Sequence, residues 1–272
     1  MTLTEAARML SECGIEDGRA EARLLFELVG KIPKRELVGA EVRCEGAELD
    51  EAIRRRCSRE PLQYIVGSVG FFNESYEVSP DCLIPRADTE VLVDYAVKNI
   101  PEGKLFLDLC TGSGCVAIST LANTRGTRCA AYDISEAAIA VARKNAEKNG
   151  VSERLALRIA DLTEGFSVSE KPFAILSNPP YVSEAAYRTL APEIGFEPKI
   201  AFVGGEDGAK FYKILTPICK NTVEQDGFFA FEIGYDQGAL MRSLAEEHSL
   251  SLEIIKDFSG NDRVAVFRVA AD

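Results

Sequence analysis

Histidine occurs once in this chain, as His248 in a polar, helix-like stretch near the C-terminus. A lone imidazole placed there is expected at the surface, which leaves no material for a histidine-dependent triad. C-x-x-C pairs are missing as well, although eight cysteines stand at 13, 44, 57, 82, 110, 115, 129 and 219. Most of them lie in apolar segments, so the expectation is packed, reduced thiols with neither disulfides nor a metal site. Long apolar runs are also lacking. None reaches the roughly 18 residues of a membrane span, and Glu5, Arg8 and Glu12 interrupt the N-terminus where a signal peptide keeps its apolar core. The expected location is cytoplasmic, with no membrane partner. Positive charge is scarce, since 31 Lys and Arg against 43 Asp and Glu leave a formal net charge of −12. That balance opposes nonspecific attachment to a phosphate backbone, which requires clustered cations. Arg54-Arg55-Arg56 with Arg59 is a local exception, read as a solvated helix face.

What the chain does contain is a change of pattern along its 272 residues, 46% of them hydrophobic. Residues 1–62 read as short helices. Thr4 or Thr2 can cap a helix carrying Leu3, Ala7 and Leu10 to Gly14, and Asp17 can cap another carrying Leu24, Leu25 and Leu28 to Gly30. Leu49, Ile53 and Cys57 line a further helix that ends before Pro61. This small helical domain serves either as a stabilising cap or as a docking element. Residues 63–82 read as a hairpin linker around Asn73-Glu74, after which Pro85 to Asp88 open a helix. From Pro101 onward strand and helix patterns alternate, with strands at Leu105–Leu109, Cys129–Tyr132, Leu155–Ile159, Phe173–Leu176 and Phe228–Ile233. Leu252–Ile255 and Val264–Val269 follow as an antiparallel closure across Ser259 to Asp262. The pattern over residues 83–272 is that of a doubly wound, Rossmann-like α/β sheet.

Chemistry-bearing residues stand at the ends of these strands. Asp108 and Cys110-Thr111-Gly112-Ser113-Gly114 form a glycine-bearing turn between the first strand and its helix, where a cofactor can approach the backbone. Alone that signal is weak, because nucleotide sites and ordinary tight turns share it. Asp133 ends the next strand, where it can accept from both ribose hydroxyls of an adenosine or merely cap a helix. Asp161 ends the third, able to accept an adenine amine while Leu162 packs on the base. The turn lacks the G-K-[ST] ending of a P-loop and departs from G-x-G-x-x-G, which favours an uncharged adenosine derivative over a dinucleotide. The fourth strand delivers Asn178-Pro179-Pro180-Tyr181 to the same edge. Two prolines leave outward carbonyls without a competing N–H, Asn178 adds an acceptor, and Tyr181 adds a ring that can cover a planar group. In isolation such a tetrapeptide is more often a strand-terminating turn. Beside an adenosine site it reads as a clamp for an NH2 group, and S-adenosyl-L-methionine is the economical cofactor.

With these motifs the sequence resembles the peptide chain release factor N5-glutamine methyltransferase family (PrmC/HemK type) over nearly its whole length. Arg59-Glu60-Pro61-Leu62-Gln63-Tyr64, Leu83 to Glu90, Phe196-Glu197-Pro198 and Gly260-Asn261-Asp262-Arg263-Val264 carry the resemblance beyond the N-P-P-Y motif. It implies an N-terminal helical domain that recognises substrate, a hairpin, and a seven-stranded methyltransferase domain. It also implies transfer from S-adenosyl-L-methionine, with S-adenosyl-L-homocysteine as product, to the glutamine amide of a Gly-Gly-Gln motif in release factors. Cys110 to Gly114 would then wrap the methionine portion, Asp133 bind ribose, and Asp161 and Leu162 flank adenine. Asn178 and the carbonyl of Pro179 would hold the amide, with Pro180 and Tyr181 completing the pocket. Ala87 stands where the family often has proline, and Leu162 replaces an aromatic found in some relatives. A monomer is expected, with no direct nucleic-acid substrate. Two rivals stay open: a methyltransferase for an exocyclic amine of a nucleic-acid base, and an inactive cofactor-sensing scaffold.

Overall fold

Local chemistry sets the helices of the N-terminal segment. The computed structural model describes residues 1–38, 42–166 and 168–269, and the chain forms two units, Met1–Ser68 with Ala191–Phe196, and Val69–Leu190 with Glu197–Asp272. In the first unit Thr2 caps α1 (Leu3–Glu12) in a reciprocal capping box with Glu5, and Asp17 caps α2 (Gly18–Leu28). A short 3-10 turn at Lys34–Val38 and two further α-helices, α3 (Ala47–Cys57) and α4 (Leu62–Val66), follow among the described residues. Leu10, Leu25, Phe26, Leu49 and Ile53 fill its core, while Leu24 and Leu28 point outward.

The arginine run is only in part the solvated face expected of it, since Arg54 is exposed but Arg56 is not. Arg56 is buried, with Nε 2.5 Å from Glu21 and Nη1 3.1 Å from Glu193. Arg59 reaches the same Glu193 at 2.8 Å, Arg55 pairs with Glu60 at 2.6 Å, and Arg54 with Glu51 at 2.6 Å. Burying a guanidinium without such carboxylates would be prohibitive. No unpaired basic patch is left in this run for a phosphate backbone.

A second correction concerns the linker. Gln63–Val66 lies in α4 rather than in a strand, bracketed by Pro61 at its start and left-handed Gly67 at its end. The hairpin itself is β1 (Ser68–Phe71) and β2 (Glu74–Glu77), turning at Phe72-Asn73 with Phe72 at φ +56°. From Val69 on it belongs to the second unit and is tied to the helices of that unit. The Tyr76 hydroxyl lies 2.6 Å from Ser119 Oγ, and Glu90 Oε1 accepts from Phe72 N at 2.8 Å.

The second unit continues with α5 (Glu90–Asn99), β3 (Leu105–Leu109), α6 (Cys115–Ala122), β4 (Arg128–Asp133), α7 (Glu136–Lys148), β5 (Leu155–Ile159) and β6 (Ala174–Ser177). After α8 (Glu184–Tyr187) come α9 (Lys210–Thr222), β7 (Phe228–Glu232), α10 (Gly238–Glu247), β8 (Leu250–Lys256) and β9 (Asp262–Val269). The seven-stranded sheet has the order β5-β4-β3-β6-β7-β9-β8, parallel except at β9. Alternating side chains serve opposite faces. Phe106, Phe228 and Ala230 pack with α5 and α6, whereas Leu107, Phe229 and Phe231 pack with α9 and α10. The order reverses between β3 and β6, so a crevice opens at their carboxyl ends. No helix among the described residues is long and apolar enough to cross a membrane.

Under that crevice Asp108 is fully buried on β3. Its Oδ2 accepts from Thr111 Oγ1 at 2.5 Å and from Ala117 N at 3.2 Å, bracing the turn into α6, while Oδ1 has no partner among the described residues. Burial, reinforced by nearby Asp133 and opposed by those two hydrogen bonds, pushes its carboxyl up to about 7 from 3.8. A raised carboxyl is bound to its proton in the folded state where the unfolded chain has lost it. Its contribution therefore favours folding most below the unfolded value and declines as pH rises toward 7. Asp108→Asn keeps an oxygen for both donors and removes the titration. Its thermal stability relative to wild type should rise between pH 5 and pH 8 by roughly 1–3 kcal/mol. A difference that stays constant across that range would show that Asp108 does not titrate as described.

Candidate active site

The crevice is a cavity of about 380 Å³ lined from six places in the second unit, within the range of small-molecule sites. Residues 110–113 after β3, Asp133 to Ser135 after β4, Ala160 to Thr163 after β5, and Asn178 and Pro180 after β6 all face it. So do the loop containing Arg86 and Thr89 and the segment from Pro198 to Phe211. Cys110 to Ser113 of the candidate cofactor turn, Asp133, Asp161, Leu162 and Asn178 are thus brought together, while Gly114 is not part of the lining. Asp108 does not line the cavity, being the brace beneath it, and neither Pro179 nor Tyr181 lines it directly. His248 closes α10 and is absent from the lining.

The turn after β3 is built for close approach. Cys110, Gly112 and Gly114 adopt φ of +61°, +55° and +83°, a region that L side chains occupy at a cost. At Gly114 a Cβ would stand 2.8 Å from Ile118 Cδ1 and 3.2 Å from Ala142 Cβ, so only glycine lets the turn meet α7. Asn145 on α7 donates from Nδ2 to Ser113 O at 2.9 Å and secures the same turn. Asp133 Oδ2 accepts from Gly112 N at 2.8 Å, and Oδ1 accepts from Ser135 N at 2.9 Å. Ser135, not Asp133, caps α7. Burial raises the Asp133 carboxyl, and the backbone N–H groups work against that rise. Asp161 Oδ1 accepts from Thr163 N at 2.8 Å and Thr163 Oγ1 at 2.7 Å, which lowers its pKa, while Leu162 is buried beside it.

On the opposite wall, Asn178 follows β6 and donates from Nδ2 to Thr89 Oγ1 at 3.2 Å. Tyr181 turns inward. Its hydroxyl donates to Glu232 Oε1 at 3.2 Å, and its carbonyl accepts from Gln237 Nε2 at 3.1 Å. Burial and the adjacent Glu232 carboxylate push the phenol above its ordinary value. Gly204 and Gly208 lie against the Pro180 and Tyr181 carbonyls, and the residue after the tetrapeptide pairs with the same segment, Val182 N donating to Phe202 O at 2.8 Å and Gly204 N to Val182 O at 2.9 Å.

Several residues that shape the site gave weak sequence signals. Glu197 is buried and accepts from Ile84 N at 2.9 Å and from Arg86, holding the loop that carries Thr89. Arg263 sits 3.1 Å from both Asp88 and Asp257 and donates to Ile233 O at 3.3 Å. These residues fall inside the accessory motifs but have no chemistry of their own to announce them. Glu232 was not among the expected site residues, although one acid inside the apolar run Phe228–Ile233 is the kind of signal that could have marked it.

Gly204 gives a direct check on the clamp's support. A Cβ there would stand 2.4 Å from Pro180 O and 2.9 Å from Gly208 O, both backbone atoms that cannot rotate away. Gly204→Ala should cost about 1–3 kcal/mol in urea unfolding. Gly195→Ala, whose methyl meets nothing within 4 Å, serves as the control, and equal effects of the two would remove the packing argument.

Residues 87–194 match the family described as the methyltransferase small domain, and residues 2–67 match the PrmC N-terminal domain. The release factor glutamine methyltransferase of Caulobacter vibrioides is 35% identical over 271 residues, covering 97% of this chain and 93% of its own. That of Moorella thermoacetica is 35% identical over 269 residues, covering 96% and 95%. Among solved structures, the ribosomal protein L11 methylase of Lactobacillus delbrueckii subsp. bulgaricus superposes with a TM-score of 0.51 at 20% identity, covering 71% of this chain and 84% of that one, which is a likeness of fold. Identity at this level across both units, on a seven-stranded methyltransferase sheet, places the chain in the release factor glutamine methyltransferase family.

Proposed function

We infer that this protein transfers a methyl group from S-adenosyl-L-methionine to the side-chain amide nitrogen of the glutamine in a release factor's Gly-Gly-Gln motif. The observation that carries the reading is that Asn178 and Asp133 line one cavity with the glycine turn between them. The donor set fits this cofactor better than a phosphate-bearing one. Gly112 N, a donor that could cradle phosphate, is already bonded to the Asp133 carboxylate, which would also repel an anion. Cys110 to Gly114 would hold the methionine portion, Asp133 the ribose, and Asp161 with Leu162 the adenine. When bound, the cofactor supplies a methyl group already activated on sulfonium, leaving S-adenosyl-L-homocysteine.

The protein's own part is alignment. An amide nitrogen is a poor nucleophile because its lone pair is delocalised into the carbonyl. Asn178 Oδ1 and the Pro179 carbonyl would each accept one amide N–H, favouring a pyramidal nitrogen and stabilising the positive charge that develops on it. Pro180, which lines the cavity, would complete the pocket, and Tyr181, which does not line it, would brace the turn from behind through Glu232. The proton departs after attack, through these acceptors or water, without a histidine. Residues 1–62 would recognise the release factor. The same reading makes the protein a cytoplasmic monomer. Pairing of the arginine run with glutamates weighs against a nucleic-acid base as acceptor.

Incubation with labelled cofactor and separate release-factor, DNA and RNA substrates, followed by mass-spectrometric mapping, should place the label on glutamine nitrogen; label on a base instead would overturn the assignment. Asn178→Ala should lower single-turnover methylation by roughly 10²–10³, about 2.7–4 kcal/mol, while leaving cofactor affinity nearly unchanged. Near-normal turnover in that folded variant would sink the clamp. Asp133→Ala should show the reverse pattern in calorimetry, since charge-assisted hydrogen bonds contribute about 1.5–3 kcal/mol each. Unchanged cofactor affinity in the folded variant would exclude Asp133 from ribose binding.

A further inference from the structure

Glu232, the last residue of β7, is the one carboxylate behind the clamp that the chemistry above leaves without work. It is 1% exposed at the end of an otherwise apolar strand, a placement that is costly for a charge unless partners compensate it. Its Oε1 accepts the Tyr181 hydroxyl at 3.2 Å, and its Oε2, also buried, has no hydrogen-bond partner among the described residues. The Thr89 hydroxyl stands beside the same carboxylate, and Thr89 Oγ1 already accepts from Asn178 Nδ2 at 3.2 Å. A hydroxyl that accepts one bond retains its own proton to donate. No hydrogen bond joins Thr89 to Glu232 as the side chains stand, but rotation of the Thr89 hydroxyl would bring the missing donor to Oε2; an ionised Glu232 can only accept, so that bond would give the chain a direction, from Asn178 N–H to Thr89 to Glu232. That direction commits Asn178 Nδ2 inward and leaves Oδ1 as the atom presented to the cavity. A reversed amide would oppose the substrate's N–H groups with donors.

We propose that Glu232 is a positioning residue for methyl transfer: acting through Thr89 and Tyr181, its carboxylate fixes the hydrogen-bond polarity of Asn178 so that Oδ1 meets the substrate amide. This rests on the reading of Asn178 as an amide acceptor. The groups facing Glu232 are Thr89 and Asp88 before α5, Tyr181 after β6, Arg263 on β9, Cys115 at the start of α6 and Tyr212 on α9. Arg263 is engaged with Asp257 and Asp88 and offers Glu232 no direct hydrogen bond. Burial raises the Glu232 carboxyl to about 7, against the lowering effect of Thr89, Arg263 and Tyr181. Once protonated, Glu232 becomes a donor as well, and the Thr89 proton is free to turn back toward Asn178. Turnover should therefore fall as pH drops through that range.

The test uses the full-length protein with a release factor, at saturating cofactor, with melting temperature and cofactor affinity measured beside single-turnover rate and its pH profile. Thr89→Val keeps the shape and removes the hydroxyl, and should lower the rate about 10- to 100-fold with cofactor affinity within about twofold. Thr89→Ser restores the hydroxyl without the methyl group and should recover most of that loss. Glu232→Gln should lose rate comparably and lose the acid limb of the profile, and combining it with Thr89→Val should add little further loss. Full activity in Thr89→Val, equal impairment in Thr89→Ser, or an acid limb retained in Glu232→Gln would each overturn the proposal. If Glu232→Gln does not fold, the valine-serine contrast at position 89 still decides it. Normal turnover in Asn178→Ala would overturn the clamp and this proposal with it. Should wild type methylate a nucleic-acid amine instead of glutamine, the substrate assignment fails, and the same contrast at position 89, read on that acceptor, decides the polarity proposal separately.

Discussion

Ser177 stands opposite Leu109 where β3 and β6 run parallel, and its hydroxyl donates to Leu109 O at 2.7 Å. One step beyond this pair the two chains diverge into Cys110 and Asn178. Side chains alternate between the faces of a sheet, so a slip of one residue in this register would turn Asn178 away from the cavity it lines. The contacts that refine the site all assume this register. Thr89 can receive the Asn178 amide, Gly204 can lie against Pro180, and Gln237 can hold the Tyr181 carbonyl only after β6 has delivered the tetrapeptide to that height.

The charge pattern around the crevice follows from burial more than from pairing. Asp108, Asp133 and Glu232 are all raised by removal from water, and only Glu232 has a cationic side chain, Arg263, opposing that rise. Of these only Asp133 lines the cavity, together with Asp161, while Asp108 and Glu232 lie behind its surface, and the conspicuous backbone donor of the lining, Gly112 N, is already occupied. Such a lining suits a ligand that brings N–H and O–H groups and a positive centre, and it is poorly suited to one that brings phosphates. The electrostatics and the strand-end geometry both agree with the methyl donor that membership of the family implies.

The central strands were legible because burial on both faces leaves a nearly unbroken apolar run, as in Phe228 to Phe231 or Ala174 to Leu176. The glycine turn after β3 and the proline turn after β6 were legible as strand-end turns facing one crevice because their backbones need those residues. Segment 63–66 misled because Tyr64, Ile65 and Val66 have strand-like side chains, while Pro61 and Gly67 set a single helical turn. Arg56 misled for a different reason: its partners Glu21 and Glu193 lie 35 and 137 residues away, and no local pattern encodes an ion pair at that separation. Glu197 with Ile84 and Arg263 with Asp88 belong to the same category. They complete the site through tertiary proximity, which composition and periodicity do not carry.

The hexapeptide Ala191–Phe196 belongs to the helical unit although it is encoded deep within the other. Its Glu193 is the shared counter-ion of Arg56 and Arg59. In recombination terms the helical unit is therefore a discontinuous module. A chimera that exchanges only the first 68 residues would pair a foreign arginine set with the resident Glu193, whereas one that carries both segments transfers the ion network whole. Sequence change in the arginine run and in the hexapeptide is coupled by charge, so drift at either end constrains what the other can accept.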